Sequence, residues 1–230
     1  MRASLRAFRT SLLTIAVALL PLALVAVSGP TVEAQESRGK AALMKPAELN
    51  EQAPATFKVN FETSKGPFVV DVHRDWAPLG VDRIYNLVKR GFFDDTRFFR
   101  VIPGFLAQFG VHGDPTLVRT WYTARIPDDP PGKQSNKKGS MAFVAGGVGR
   151  RTTQVFINLA DNTTLDAQVA PFGQVVAGMS VVEQLYGGYG EPPPTGKGPD
   201  TNRLYSEGNP YLEKEFPQMD YIKVATIIAP

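Results

Sequence analysis

The sequence predicts a mainly β domain, a closed or nearly closed antiparallel structure whose openings are covered by helices. Three observations predict it. Apolar and polar residues alternate with a period of two in many short segments. Two stretches, one from Pro78 and one from Ser180, carry an apolar helical face. Strand and helix patterns do not alternate in the rhythm of a βαβ fold.

The elements follow in order. Residues 56–63 alternate Phe57, Val59 and Phe61 with Lys58, Asn60 and Glu62, the pattern of a half-buried strand. Ser64-Lys65-Gly66 is turn material, and 67–72 return as the second strand of a hairpin. Pro78 suits the first turn of a helix, and Val81, Ile84, Tyr85 and Val88 form its stripe. Lys89 and Arg90 suit its C-terminal end, and Gly91 suits the stop. Strands over 97–102 and 105–110 flank Pro103-Gly104. Residues 111–138 read mostly as loop, with Asp128-Asp129 as solvated turn residues before Pro130-Pro131-Gly132. Further strands are expected over 140–145, 154–160 and 172–176, with a mobile loop at Gly146-Gly147-Val148-Gly149. Ser180 and Glu183 predict a capping box, Val181, Val182, Leu185 and Tyr186 an apolar face, and Gly187 a stop. Residues 187–210, rich in Gly and Pro, predict a long loop; 211–216 predict a short helical piece and 221–228 the closing strand.

The N-terminus reads differently. Arg2, Arg6 and Arg9 precede an apolar run over 12–27 that Pro21 interrupts, and Val32-Glu33-Ala34 offers residues a signal peptidase reads. This predicts a secretory signal over 1–34, cut after Ala34. The run is short for a membrane span of roughly 20 residues. The expectation is therefore an exported protein, periplasmic or secreted, with no stable membrane anchor after cleavage. Residues 35–55 read as a flexible linker, and the folded domain as 56–230.

Composition narrows the function. The chain of 230 residues has 25 basic and 22 acidic side chains; residues 1–34 hold three Arg and one Glu, which leaves 22 and 21. That balance gives no argument for nucleic acid as a partner. Without cysteine, disulfides, thiol nucleophiles and cysteine-held metals are excluded. His73 and His112 sit in no metal-spaced motif, so neither a metal nor a cofactor is expected. No coiled coil or long apolar extra element appears, and a monomer is expected.

Three residues stand out. Strand alternation puts Arg100 on one face with Phe98 and Ile102, where a guanidinium is costly without a partner or a task. Taken alone it reads more readily as an edge arginine reaching solvent. Gln108, in Phe105-Leu106-Ala107-Gln108-Phe109, needs hydrogen-bond partners if buried. Phe105 and Gln108 have opposite parity and share a site only if the chain bends after Gly104. Phe156, with Gln154 on the same parity, reads alone as core.

Together these segments resemble the cyclophilin-type peptidyl-prolyl cis/trans isomerases. Phe98-Phe99-Arg100-Val101-Ile102-Pro103-Gly104-Phe105-Leu106-Ala107-Gln108 is similar to that family's motif of aromatic, Arg, two aliphatics, Pro-Gly-Phe and Gln. Gly139-Ser140-Met141-Ala142-Phe143, Thr153-Gln154-Val155-Phe156-Ile157, and Leu165-Asp166 followed by Phe172-Gly173-Gln174-Val175 resemble its later segments, in order. The resemblance implies a closed eight-stranded antiparallel barrel capped by two helices, with a site on its outer face. It implies Arg100, Phe105 and Gln108 as catalytic residues. It implies Leu106, Phe156 and Leu165 as further pocket residues, and Ala142, Phe143 and Gln154 as the groove's border. The implied partners are Pro-containing polypeptides, and cyclosporin-like ligands come with the family. Thr164 and Val169 stand where the family often has Trp and His, and both departures bear on such ligands. The chain after Gln108 is longer than usual, and 187–215 is extra to a minimal member. A peptide-binding module without turnover is the main alternative. A hydrolase built on Asp94-Asp95 or Asp128-Asp129 is a weaker one, and no Gly-x-Ser-x-Gly elbow is present. The 146–149 glycine run lacks the Gly-Lys-Ser/Thr ending of a phosphate loop.

Overall fold

The computed structural model describes residues 39–147 and 149–228. The expected signal over 1–34 lies outside them, as does Val148.

Eight strands form one curled antiparallel sheet: β1 (Thr56–Thr63), β2 (Gly66–His73), β3 (Arg100–Ile102), β4 (Leu106–Phe109), β5 (Ser140–Phe143), β6 (Val155–Asn158), β7 (Pro171–Ala177) and β8 (Ile222–Ile228). Their spatial order is β3-β4-β6-β5-β7-β2-β1-β8. Alternation decides which face turns inward. Phe57, Val59 and Phe61 of β1 and Phe68, Val70 and Val72 of β2 are buried, while Lys58, Asn60, Val69 and Asp71 between them are less so. The interior contains a cluster of aromatic rings: Phe61 stacks on Phe68 at 4.9 Å and meets the edge of Phe109 at 5.8 Å, and Phe98 lies 5.0 Å from Phe109.

The sheet's outer strands approach each other just before β3 and β8. Arg97 bridges Tyr221, Asp95 N–H donates to the Ile222 carbonyl at 2.8 Å, and Phe98 N–H donates to Asp220 at 3.0 Å. Among the described residues no full ladder joins β3 to β8.

Helix α1 (Pro78–Lys89) buries Val81, Ile84 and Val88 of the expected stripe; Tyr85 is only half-buried, and Leu87 is buried beside them. Its start is capped from far along the chain. The Asp129 carboxylate accepts from Leu79 N–H at 2.9 Å and Gly80 N–H at 2.8 Å, and it pairs with Arg151 at 3.0 Å. Asp129 is thus a buried capping residue, not the solvated turn residue expected. The reason is that Ala77, at the helix's own cap position, has no side-chain acceptor.

Helix α2 (Pro115–Tyr122) lies where loop was expected. Asp114 caps it, accepting from Thr116 N–H at 2.8 Å, and Pro115 pre-sets its first turn. Helix α3 (Met179–Glu183) has no capping box: its cap residue is Gly178, and Glu183 turns away to pair with Lys138. The expected long loop over 187–210 contains helix α4 (Thr201–Glu207), capped by Asp200, and is followed by α5 (Asn209–Glu215). Helices α2, α4 and α5 share a second apolar cluster of Val111, Val118, Leu204, Tyr211, Leu212, Phe216 and Met219. The two stretches that lengthen this chain therefore pack on each other.

Residues 39–55, read in the sequence as linker, carry domain contacts. Leu43 is buried and its carbonyl accepts from Trp121 Nε1 at 2.9 Å. Ala53 N–H donates to Asp82, and Asn86 and Glu51 exchange two hydrogen bonds. Among the described residues no helix is long and apolar enough to cross a membrane.

Candidate active site

The register of four strands builds the site. Arg100 of β3 is opposite Gln108 of β4, Gln108 is opposite Phe156 of β6, and Phe156 is opposite Ala142 of β5. Residues directly opposite in antiparallel strands share a face, so these four make one row across the sheet. Their neighbours Val101, Ala107, Phe109, Val155, Ile157, Met141 and Phe143 belong to the interior core, so the row faces outward.

An apolar floor lies along the row. Leu106, Ala142, Phe156 and Val169 are buried together, with Phe105, Val144 and Leu165 packed against them. Phe105 reaches it because the chain turns before β4. Gly104 adopts φ 75°, a conformation that glycine takes without strain, and Phe105 N–H closes the turn on the Ile102 carbonyl at 2.9 Å. Phe105 precedes the strand, so the parity of Gln108 does not bind it. Leu165 sits in a short 3-10 turn, Thr163–Leu165. The loop after it is held by Asp166, which accepts from Ser135 Oγ at 2.6 Å and Asn136 N–H at 2.7 Å. Those hydrogen bonds hold its carboxyl below the usual range.

A polar chain crosses the floor's edge. Arg100 Nη1 donates to Gln108 Oε1 at 3.0 Å, Gln108 Nε2 donates to Gln154 Oε1 at 2.9 Å, and Gln154 Nε2 donates to the Tyr205 hydroxyl at 2.7 Å. Each amide spends its oxygen on one neighbour and its nitrogen on the next, which fixes its orientation. The guanidinium is also gripped from the side: Arg100 Nε and Nη2 donate to the two carboxylate oxygens of Glu191, both at 2.6 Å. The hydrogen bonds from Arg100 hold the Glu191 carboxyl below its ordinary pKa. Burial pushes the Tyr205 hydroxyl up, against the opposing effect of its bond from Gln154. The Arg100 guanidinium carbon is 5.8 Å from the Phe105 ring centre. Past Gln154 and Tyr205 a cavity of about 490 Å³ continues between Trp121, Tyr122, Arg125 and Arg150.

The family model described as cyclophilin type peptidyl-prolyl cis-trans isomerase/CLD matches residues 58–198. The chain belongs to this family. It is a cyclophilin-type peptidyl-prolyl cis-trans isomerase, in keeping with relatives of that name. A peptidyl-prolyl cis-trans isomerase of Acinetobacter baylyi is 32% identical over 144 residues, covering 60% of this chain and 76% of the relative. A peptidyl-prolyl cis-trans isomerase-like 1 of Rhizopus delemar is 33% identical over 133 residues, covering 56% of this chain and 79% of the relative. The crystal structure of a Cryptosporidium parvum cyclophilin type isomerase superposes with a TM-score of 0.56 at 18% identity, covering 76% of this chain and 99% of that one. At that identity the likeness bears on the fold alone. It agrees with a mainly β cyclophilin fold of eight antiparallel strands with helices.

Within this cyclophilin, Arg100, Phe105, Leu106, Gln108, Ala142, Gln154, Phe156 and Leu165 come together on one face. Phe143, beside Ala142 in β5, borders the row by its backbone, and its ring turns away. Its ring is 1% exposed and packs 5.4 Å from Phe172, because strand alternation turns it inward beside outward-facing Ala142. Of the two departures from the family pattern, Val169 is part of the apolar floor and Thr164 is exposed. Sequence reasoning missed Glu191 and Tyr205. Both lie in the long segment after Tyr186, and no local pattern marks Glu191 within Gly190-Glu191-Pro192-Pro193-Pro194.

Proposed function

We propose that this chain accelerates rotation about X-Pro peptide bonds in exported or unfolded polypeptides, with Arg100 as the donor that stabilises the twisted state. The observation that carries this reading is the outward row of Arg100, Gln108, Phe156 and Ala142, whose last two members belong to the apolar floor beside Arg100.

Peptide-bond rotation faces a barrier of about 18–20 kcal/mol because the C–N bond has partial double character. Half-way round, the prolyl nitrogen loses resonance, becomes pyramidal and gains a lone pair. A fixed N–H donor aimed at that nitrogen stabilises the twisted state more than either planar state, and so lowers the barrier. Arginine suits the task because its charge is permanent and its five donors are rigidly arranged. Three of those donors are engaged by Glu191 and Gln108, and two remain for substrate. The proline ring rests among Phe105, Leu106, Phe156 and Leu165, Gln108 holds the neighbouring peptide, and Ala142 and Gln154 border the groove. A related Cryptosporidium parvum structure was obtained in the presence of an Ala-Pro dipeptide, which supports the same ligand class here.

Export belongs to this proposal and is supported by the basic, apolar and small-residue pattern of 1–34. The approach of 95–98 to 220–222 supports reading the curled sheet as a closed barrel.

The second reading, a binding module without turnover, keeps the floor and drops the catalysis. An isomerisation assay on Pro-containing peptides with several residues before the proline separates the two. We expect acceleration of cis/trans exchange by the wild-type chain. Saturable peptide binding with no acceleration on any peptide contradicts the enzyme reading and leaves the module.

A further inference from the structure

Glu191 holds Arg100 with a geometry more specific than a point charge supplies. Its two oxygens take Nε and Nη2 side-on, both at 2.6 Å, which fixes the plane of the guanidinium as well as its position. The opposite edge keeps the bond to Gln108.

The loop that presents Glu191 is closed on itself. Gly198 N–H donates to the Glu191 carbonyl at 2.8 Å, and Gly196 N–H donates to the Pro192 carbonyl at 3.1 Å. A Cβ on Gly196 would lie 2.2 Å from the Glu191 carbonyl oxygen, and one on Gly198 would lie 2.9 Å from it, so the closure depends on glycine at both positions. Tyr189, before the loop, packs against Tyr186 at 4.9 Å and Phe216 at 5.0 Å. Helix α5, which follows, binds the chain leading into β3: Asn209 Nδ2 donates to Asp95 Oδ2 at 2.7 Å, and Glu213 pairs with Arg97 at 2.8 Å. The same segment thus anchors both the backbone that carries Arg100 and the carboxylate that grips it.

We propose that Glu191 is a positioning residue of the isomerase, clamping the Arg100 guanidinium so that its free donors stand ready over the proline floor. The proposal rests on the isomerase reading above. Arginine has many rotamers, and a clamp set before substrate arrives removes that ordering from the catalysed step. The carboxylate also acts the other way, because it competes for donors and offsets positive charge. The two effects predict opposite changes when the carboxylate is lost.

The test uses the full chain and exchange spectroscopy that yields kcat and KM separately on one Ala-Pro-containing peptide. Glu191→Gln and Glu191→Ala should each lower kcat about tenfold with KM changed less than about twofold. The melting temperature should be unchanged, since the pair is partly exposed and contributes little to stability. The Arg100 Nε–H resonance should exchange slowly with water in the wild type and be lost to fast exchange in Glu191→Ala. Unchanged or raised kcat in both variants, with an active wild type, overturns the proposal and makes Glu191 a competitor for Arg100. A wild type that binds the peptide without accelerating exchange overturns the isomerase reading itself, and the proposal with it, before any variant is compared.

Discussion

Gln108 has a single amide and two polar neighbours, and the structure uses both ends of it. Its oxygen faces Arg100 and its nitrogen faces Gln154, so the side chain cannot flip without losing both bonds. That is why an amide suits this position: a carboxylate could not donate to Gln154, and an ammonium could not accept from Arg100. His112 follows the same logic. Its Nδ1 accepts from Asp114 N–H at 2.9 Å, which only the unprotonated ring can do. Burial lowers its pKa below 6.5, and the Asp114 charge opposes that effect less strongly. Below pH 6.5 the unfolded chain therefore takes up a proton that the folded chain resists. The stability that this group contributes is full above pH 6.5 and is lost as pH falls from there through the lowered folded value. Urea unfolding at pH 7.5 and 5.5 should show a fall for the wild type, and a smaller fall for His112→Asn. Equal falls in both proteins would contradict this account.

At the scale of elements, helix α1 depends on a residue 49 positions from the N–H it caps. Asp129 satisfies two N–H groups at the start of α1 and pairs with Arg151, and both side chains are buried. Asp129→Ala should cost roughly 2–4 kcal/mol, because it uncaps the helix and leaves the buried Arg151 guanidinium with Asp128 as its remaining carboxylate partner. A shift of the urea midpoint corresponding to less than about 1 kcal/mol, within the range of an exposed pair, would contradict the buried-pair account. Helix α1 itself was legible in the sequence, as was the β1–β2 hairpin, because each buries a regular stripe. Helix α4 was not: it buries Leu204 alone, and one buried residue leaves no period to read. Helix α2 was hidden by the Gly and Pro around it, although Asp114-Pro115 is a start signal. The capping box at Ser180 failed because Glu183 found Lys138 instead. The site shows the same division. Arg100, Gln108 and Phe156 stand in local motifs, and the turn at Gly104 accounts for Phe105. Glu191 is 91 residues from Arg100, so their pairing is a product of the folded chain that no sequence window contains.

At the scale of the molecule, one sheet carries two apolar systems. Its inner face closes over the main apolar core, and its outer face carries the floor beside Arg100. A third cluster joins α2 to α4 and α5, and from that segment Glu191 and Tyr205 reach the two ends of the polar chain. The arrangement makes the candidate site a joint product of the sheet and the added helices. The central claim is that the Arg100 guanidinium stabilises the twisted X-Pro bond. The most direct measurement compares the wild type with Arg100→Ala in a proline-isomerisation assay, with peptide binding measured in parallel. The account predicts at least a tenfold loss of acceleration in the variant, about 1.4 kcal/mol of transition-state stabilisation, with peptide still bound. Equal acceleration by a folded Arg100→Ala protein would contradict it.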